Sequence, residues 1–210
     1  MEPDFWHKRW ESGQIGFHQS KPNAFLVDHI QTLNLPKGAR IFLPLCGKTH
    51  DIAWLLAEGY QVVGAELSAI AIDQLFDALG VTPDTTKLGP LTRQSADSID
   101  IFVGDIFELD QSTLGPVDAI YDRAALVALP ADMRIGYANH LAAITNAATQ
   151  LLVTFEYDQS FISGPPFAIW EDELRRLYDA HFALECLARG EVSGGMKGHP
   201  ATEAIWHLTA

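Results

Sequence analysis

Short apolar runs alternate along the chain with stretches that carry apolar residues at helical spacing. The apolar runs cover residues 41–45, 61–66, 99–104, 117–121, 150–157, 183–187 and 203–208. The helical stretches cover residues 51–58, 68–79 and 132–147, and a further one begins near residue 171. Apolar runs that are separated by helices are typical of parallel strands buried on both faces. The alternation therefore predicts an α/β fold, in which helices cover both faces of a mostly parallel sheet.

Local signals mark both ends of the predicted helix over residues 68–79. Ser68 precedes it, and a serine hydroxyl accepts the free N–H groups of a first helical turn. Gly80 follows the last apolar position and suits the left-handed conformation that closes many helices. The next segment, residues 81–98, is polar and contains two prolines. We expect this segment to form an irregular insertion before the third strand.

Size and charge limit the classes of function. A chain of 210 residues fits one domain, here residues 1–210. Its 14 basic and 27 acidic residues give a net charge of −13, which disfavours binding to nucleic acid or an anionic membrane. No apolar run approaches the roughly 20 residues of a membrane helix, and the first residues lack the pattern of a signal peptide. We expect a cytoplasmic, monomeric protein.

Cysteine and histidine usage argues against a disulfide framework and against a metal site. Cys46 and Cys186 are too few for a disulfide framework, so free thiols in a reducing compartment are expected. Cys46 has no base near it in the sequence, and a small buried thiol is favoured over a nucleophile. The eight histidines show no H-x-x-x-H or H-E-x-x-H spacing, and no metal is predicted.

Polar residues follow the ends of successive predicted strands. Residues 45–48 follow the first strand, residues 104–106 the third and residues 122–123 the fourth. In open parallel sheets, ligands bind at these carboxyl ends. Glu66 ends the second strand, 21 residues beyond Leu45. An acidic residue in this position is placed to accept hydrogen bonds from the ribose hydroxyls of a nucleoside cofactor.

The loop over residues 45–48 narrows the choice of cofactor. A dinucleotide needs a glycine-rich turn to hold its pyrophosphate, but this loop contains only Gly47. The chain also lacks the G-x-x-x-x-G-K-[ST] spacing of a phosphate-binding loop. A cofactor with ribose and adenine but without phosphate fits best. S-adenosylmethionine is such a cofactor, and its product would be S-adenosylhomocysteine.

Two segments lie outside the alternation of strands and helices. The first 20 residues are rich in aromatic side chains, and Trp6 and Trp10 are four residues apart, on one helical face. This segment is either a helix packed on the sheet or a lid over the site. The second segment, SGPPF at residues 163–167, is a rigid loop just past the fifth strand.

Six segments of the chain carry a family resemblance. They are FWHKRWESGQIGFHQ (5–19), IFLPLCGKTHD (41–51), VVGAELS (62–68), GDIFEL (104–109), YDRAALVAL (121–129) and SGPPF (163–167). Together they resemble the bacterial branch of the thiopurine S-methyltransferase family. The LPLCGK and DRAALVAL strings are specific, because generic methyltransferases carry several glycines in the first loop. The resemblance implies a class I S-adenosylmethionine-dependent methyltransferase (Rossmann-like) fold of seven strands, one of them antiparallel.

The resemblance also implies roles for individual residues. The implied cofactor contacts are Trp10, Leu45, Glu66, Asp105, Ile106 and Arg123, of which Asp105 and Ile106 would hold the adenine. The implied acceptor contacts are Phe17, Trp6 and Arg123. No side chain is assigned as a general base. The chain departs from the mammalian members at residues 188–203, where they carry a basic residue near the acceptor, and either Arg189 or Lys197 could replace it.

The function implied is methyl transfer to the sulfur of small aromatic or heterocyclic thiols. The resemblance extends it to selenium and tellurium compounds, and residues 1–20 would form the lid. Two alternatives remain open. A nicotinamide-dependent oxidoreductase on a similar sheet is disfavoured by the missing glycine pattern. A cofactor-binding module without catalysis is disfavoured by the intact Trp10, Glu66 and Arg123.

Overall fold

The computed structural model describes residues 3–210, in which one sheet lies between two layers of helices. The strands are β1 (Arg40–Pro44), β2 (Gln61–Glu66), β3 (Asp84–Leu88), β4 (Leu91–Ala96), β5 (Ile99–Val103), β6 (Ala119–Arg123), β7 (Thr149–Tyr157), β8 (Ala183–Glu191) and β9 (Ala201–Thr209). The α-helices are α1 (Pro3–Glu11), α2 (Ala24–His29), α3 (His50–Ala57), α4 (Ala69–Leu79), α5 (Gln111–Leu114), α6 (Ala131–Thr145) and α7 (Glu171–Tyr178). The predicted α/β class is confirmed.

The strand order places a ligand crevice at the centre of the sheet. The order is β3-β4-β5-β2-β1-β6-β7-β9-β8, and the five strands from β5 to β7 run parallel. The chain leaves β1 towards β2 on one side and returns to β6 on the other. The carboxyl ends of these strands therefore border the switch point where such sheets bind ligands. β9 runs antiparallel between β7 and β8.

The prediction of seven strands is wrong, because residues 3–210 contain nine. Residues 81–98, expected to be irregular, contain the hairpin β3–β4, and β4 pairs antiparallel with β5. Its two-residue turn joins Leu88 to Leu91. β3 is exposed along its whole length, so it shows no alternation of apolar and polar residues that could reveal a strand.

Local predictions of element ends agree with the structure in most places. Ser68 caps α4, with its Oγ 3.3 Å from the N–H nitrogen of Ala71. Gly80 closes α4 with a φ of +71°. The fourth predicted strand, over 117–121, is shifted by two residues to Ala119–Arg123. Arg123 is therefore the last residue of β6 and not a residue of the following loop.

The core consists of two apolar layers, one on each face of the sheet. Successive strand residues point to opposite faces, so Ile41 packs with the α2–α4 side and Phe42 with the α5–α7 side. Sequence patterns did not predict α2 or α5, which have six and four residues. Leu26 of α2 is fully buried on the first side.

The N-terminal segment is the helix α1 followed by a loop, and it lies against α4 and the loop after β1. Trp10 is buried in α1, which contacts α4. Residues 1 and 2 of the expected lid over 1–20 lie outside the described residues. Both cysteines are free thiols, as expected. Within residues 3–210, no helix is long and apolar enough to cross a bilayer.

Candidate active site

The loop after β1 is folded tightly against the end of β2. Leu45 and Gly47 both have left-handed φ angles, of +47° and +53°. Between them, the N–H of Cys46 donates to the carbonyl of Ala65 at 3.0 Å. Thr49 then caps α3 with its side chain. The loop is thus held by backbone hydrogen bonds, and its N–H groups face the carboxyl end of the sheet.

Glu66 is the buried carboxylate of this site, with a side chain that is 6% exposed. Its Oε2 accepts the Gly47 N–H at 2.8 Å, and its Oε1 accepts the Ser68 N–H at 2.9 Å. Burial raises the pKa of Glu66, while the backbone N–H groups and the nearby His7 oppose the rise. An ionised carboxylate has about four acceptor sites. Two therefore remain for ligand hydroxyls.

Aromatic side chains from the N-terminal segment cover the loop after β1. A Cβ atom at Gly47 would lie 3.0 Å from Cζ2 of Trp10, so only glycine lets the indole lie this close. The rings of Trp10 and Phe17 meet edge to face at 5.5 Å, and Trp6 contacts Phe17 at 5.9 Å. The structure thus brings Trp6, Trp10 and Phe17 together, beside the loop that bonds Glu66.

Asp105 and Ile106 follow β5 on the other side of β2. The N–H of Gly104 donates to the Glu66 carbonyl at 2.9 Å, which ties the ends of the two strands together. Asp105 is exposed, and it caps a short 3₁₀ turn by accepting the Phe107 N–H at 3.0 Å. Ile106 is buried. These two residues follow the carboxyl end of β5, next to Glu66 at the end of β2 and on the side away from β1.

Arg123 and its neighbour Asp122 point to opposite faces of β6 and do not form an ion pair with each other. Asp122 is fully buried, where it accepts the Tyr137 hydroxyl at 2.7 Å and the Leu126 N–H at 3.1 Å. Burial raises the pKa of Asp122 to about 6. Arg123 shares the other face with Tyr121. Among residues 3–210, no acceptor bonds its buried Nε.

Three polar residues that sequence patterns did not predict lie near Arg123. The backbone N–H of Asn23 donates to Asp51 Oδ1 at 2.7 Å, and its side-chain amide donates to Glu203 Oε1 at 3.4 Å. Asn23 and Asp51 are buried, and Glu203 is partly buried. Their contacts span 28 and 180 positions of the chain, which no local pattern can reveal. The one available signal was a glutamate inside the apolar run of β9.

A set of basic groups lies on the open side of Arg123. The rings of His18 and His50 are 5.1 Å apart. Burial lowers the pKa of His18, and the charges of Lys48, His50 and Arg123 lower it further. Within this set, Lys48 and Arg123 carry the positive charge, and both lie near His18. Such charges attract anionic ligands.

The two basic residues considered for the C-terminal part of the site lie apart from this set. Arg189 pairs with Glu156 and Glu171 at 3.4 and 3.3 Å, and its guanidinium lies 5.0 Å from the Trp206 ring. These contacts hold Arg189 on the α7 side of the sheet. Lys197 lies in the turn between β8 and β9, with a φ of +50°.

The contacts of the loop at 163–167 and the surroundings of Cys46 indicate structural roles. The loop at 163–167 is anchored, because the Phe167 N–H donates to the Val127 carbonyl at 2.6 Å. Burial raises the pKa of the Cys46 thiol well above its usual value, and Glu66 raises it further. A thiol in this environment stays protonated and is a poor nucleophile.

Comparisons with known proteins agree with this geometry. The sequence model of the family described as Thiopurine S-methyltransferase (TPMT) matches residues 1–204. A protein of Xanthobacter autotrophicus named thiopurine S-methyltransferase is 58% identical, and the match covers 99% of each chain. A protein of the same name from Teredinibacter turnerae is 48% identical over 100% of this chain and 98% of its own length.

Solved structures show the same fold at low sequence identity. A Burkholderia thailandensis 1,6-didemethyltoxoflavin-N1-methyltransferase, solved with S-adenosylhomocysteine, has a TM-score of 0.66 at 17% identity. The match covers 99% of this chain and 87% of that one. An S-adenosylmethionine-dependent methyltransferase from Anabaena variabilis has a TM-score of 0.63 at 15% identity, over 99% and 95% of the two chains. The expected methyltransferase fold is confirmed.

Proposed function

Because the chain belongs to the thiopurine S-methyltransferase family, and is thus an S-adenosylmethionine-dependent methyltransferase, we propose that its acceptor is the sulfur of a small aromatic or heterocyclic thiol. The names of the relatives support thiopurines as the acceptor class. The main observation in its support is that Gly47 contacts both Glu66 and Trp10 at the switch point, beside the positive charge of Arg123.

The residues at the switch point fit S-adenosylmethionine. Glu66 is a buried carboxylate with two acceptor sites left for ribose hydroxyls. Gly47 provides backbone without a side chain where Trp10 closes over the loop, and Leu45 begins the same turn. Asp105 and Ile106 border the side on which adenine would lie. We assign these residues, with Arg123, to cofactor binding.

The chain's own contribution is positioning and exclusion of water. Bound S-adenosylmethionine supplies an electrophilic methyl group on a sulfonium. Trp10 stabilises a sulfonium by cation–π attraction, at about 0.5–2 kcal/mol, and Phe17 and Trp6 extend this apolar wall. Holding a nucleophile in line with the methyl group contributes up to about 7–11 kcal/mol. No metal ion is part of this scheme.

Arg123 gives the acceptor side its preference for anions. A guanidinium stays protonated, so it stabilises a thiolate but cannot remove a proton. The neighbouring Lys48 adds a second positive charge near His18. Acceptors should therefore be thiols that ionise near neutral pH. Selenols and tellurols, which are softer and more acidic, belong to the same acceptor class.

The N-terminal segment acts as the lid in this proposal. Trp10 packs on Gly47 in the loop after β1, and Phe17 packs on Trp10. Movement of α1 therefore opens the crevice, and its return excludes water from the sulfonium. We further propose that residues 1–210 form a single domain and that the protein is a monomer. Composition supports a cytoplasmic enzyme without nucleic-acid or membrane partners.

A methyl-transfer assay over a panel of acceptors tests the proposal. Thiopurines, thiophenols, phenols, amines, selenite and tellurite are each incubated with the protein and S-adenosylmethionine, and S-adenosylhomocysteine is measured. We expect turnover with thiols and none with phenols or amines. Turnover of amines or phenols without thiols would refute the acceptor assignment.

A further inference from the structure

A buried polar cluster adjoins Arg123 on the sheet face covered by α2, α3 and α4. We call it the Asn23 cluster, and its members are Asn23, Asp51, Tyr121 and Glu203. Tyr121 and Arg123 alternate with Asp122 along β6 and so point to this face. Glu203 of β9 lies two positions from Ile205, which packs in the same layer as Tyr121. Glu203 therefore faces the side on which Arg123 extends.

Asn23 holds Glu203 in place from a rigid position. Its Oδ1 accepts the Phe25 N–H at 2.9 Å and caps α2. Its backbone N–H donates to Asp51 at 2.7 Å, and its amide nitrogen donates to Glu203 Oε1 at 3.4 Å. Because the cap fixes the rotamer of Asn23, its amide nitrogen is aimed at Glu203 and not at solvent.

Glu203 is the carboxylate available to Arg123. Asp122 is bonded on the opposite face. Both oxygens of Asp51 accept hydrogen bonds, one from the Asn23 backbone N–H and one from the Thr49 hydroxyl. Among residues 3–210, Asn23 supplies the one hydrogen bond to the Glu203 side chain. Burial raises the pKa of Glu203, and the charge of Arg123 is the main effect that lowers it.

Arg123 in turn needs an orienting partner. Its buried Nε has no hydrogen-bond acceptor, and among the described residues it forms no ion pair within 4.0 Å. A long side chain without a fixed partner samples several rotamers, and ordering it costs entropy at each binding event. A partly buried carboxylate on the same face reduces that cost.

We propose that Glu203 is a positioning residue, which the capped Asn23 side chain holds as the counter-charge that directs the Arg123 guanidinium towards the acceptor. The inference rests on the proposed function, in which Arg123 contacts the acceptor. It adds a residue from β9, on the far side of β7, to a site otherwise formed by β1, β2, β5, β6 and the N-terminal segment.

Glu203→Gln is the direct test, because it keeps the size of the side chain and an oxygen for the Asn23 amide but removes the charge. We expect the KM for a thiophenol to rise about tenfold, the loss of one charge-assisted interaction. Affinity for S-adenosylhomocysteine, measured by calorimetry, should fall by a smaller factor than the KM rises, because Glu203 directs Arg123 towards the acceptor side. The matched control is Glu156→Gln, an acid-to-amide change on the α7 face, which should leave the KM unchanged.

A double-mutant cycle separates positioning from a general structural effect. In an Arg123→Met background, we expect Glu203→Gln to change the KM by less than about twofold, since coupled residues are not additive. If the rise in KM is the same in both backgrounds, Glu203 acts independently of Arg123 and the proposal is wrong. An unchanged or lowered KM for the single variant would also overturn it.

Asn23→Ser keeps the proposal testable if Glu203→Gln fails to fold. Serine is also a good N-cap, and the backbone N–H to Asp51 remains, so only the donor to Glu203 is removed. We expect a smaller rise in the thiophenol KM, and no rise would count against the proposal. If the wild-type protein methylates no thiol, the proposed function itself fails, and this inference fails with it.

Discussion

Replacing Glu66 by glutamine should weaken both cofactor binding and folding, and the structure indicates by how much. Each carboxylate oxygen accepts one backbone N–H, from Gly47 and Ser68. Glutamine offers one acceptor oxygen, and its amide group then faces a second N–H donor. Leaving one buried N–H unpaired costs about 1–3 kcal/mol. Relief from burying the charge offsets part of this cost, so we expect a stability loss at the lower end of that range.

The loss of affinity follows from the two remaining acceptor sites of the carboxylate. Hydrogen bonds to a charged group contribute about 1.5–3 kcal/mol each, against about 0.5–1.5 kcal/mol for neutral ones. Two ribose hydroxyls that donate to Glu66 would therefore lose about 2–3 kcal/mol in all, which weakens binding of S-adenosylhomocysteine about 30- to 160-fold.

Calorimetric titration with S-adenosylhomocysteine measures the affinity, and urea unfolding of the same samples measures the stability. Asp110→Asn is the matched control, because Asp110 is an exposed N-cap before α5, a helix that leads away from the crevice. This control should bind S-adenosylhomocysteine as the wild type does. If folded Glu66→Gln binds within twofold of the wild type, Glu66 does not contact the ribose.

Three further predictions concern pH, acceptor chemistry and motion. Burial raises the pKa of Asp122 from its ordinary value of 3.8 to about 6 in the folded protein. The folded state therefore binds more protons in that range, and this group lowers the free energy of unfolding as pH rises from about 4 to about 6. Urea unfolding across this pH range should show a shallower fall in the free energy of unfolding for Asp122→Asn than for the wild type. An identical slope would contradict the assignment. For substituted thiophenols, the pH inflection of log kcat/KM should follow the acceptor's own pKa; an inflection that stays at one pH, and disappears in His18→Gln, would instead identify His18 as a base. Hydrogen exchange in residues 3–20 should slow when S-adenosylhomocysteine binds, and equal protection with and without it would refute the lid.

Features that depend on neighbouring residues were predictable from the sequence. Ser68 and Gly80 mark the ends of α4 because capping is local chemistry. The position of Glu66 at the end of β2 follows from the apolar run before it. The boundary of β6 was shifted by two residues, because Val117 extends the apolar run without pairing to β1.

Features that depend on distant contacts were not predictable. The β3–β4 hairpin is stabilised by pairing with β5 and not by a buried face of its own. Asn23, Asp51 and Glu203 converge only when the sheet has formed. The opposite directions of Asp122 and Arg123 follow from strand alternation, but only once both residues are known to belong to β6.

The placement of β9 between β7 and β8 has a consequence for the enzyme's synthesis. A nascent chain that has emerged as far as β8 contains the loop after β1, Glu66 and Arg123. It still lacks β9, which pairs with both β7 and β8 in the folded protein. Domains complete their folding only when the required segments have left the ribosome. Residues 201–209 must therefore insert between two strands already made, and they bring Glu203 with them. Vectorial synthesis thus makes Glu203 one of the last side chains of the proposed site to reach its position.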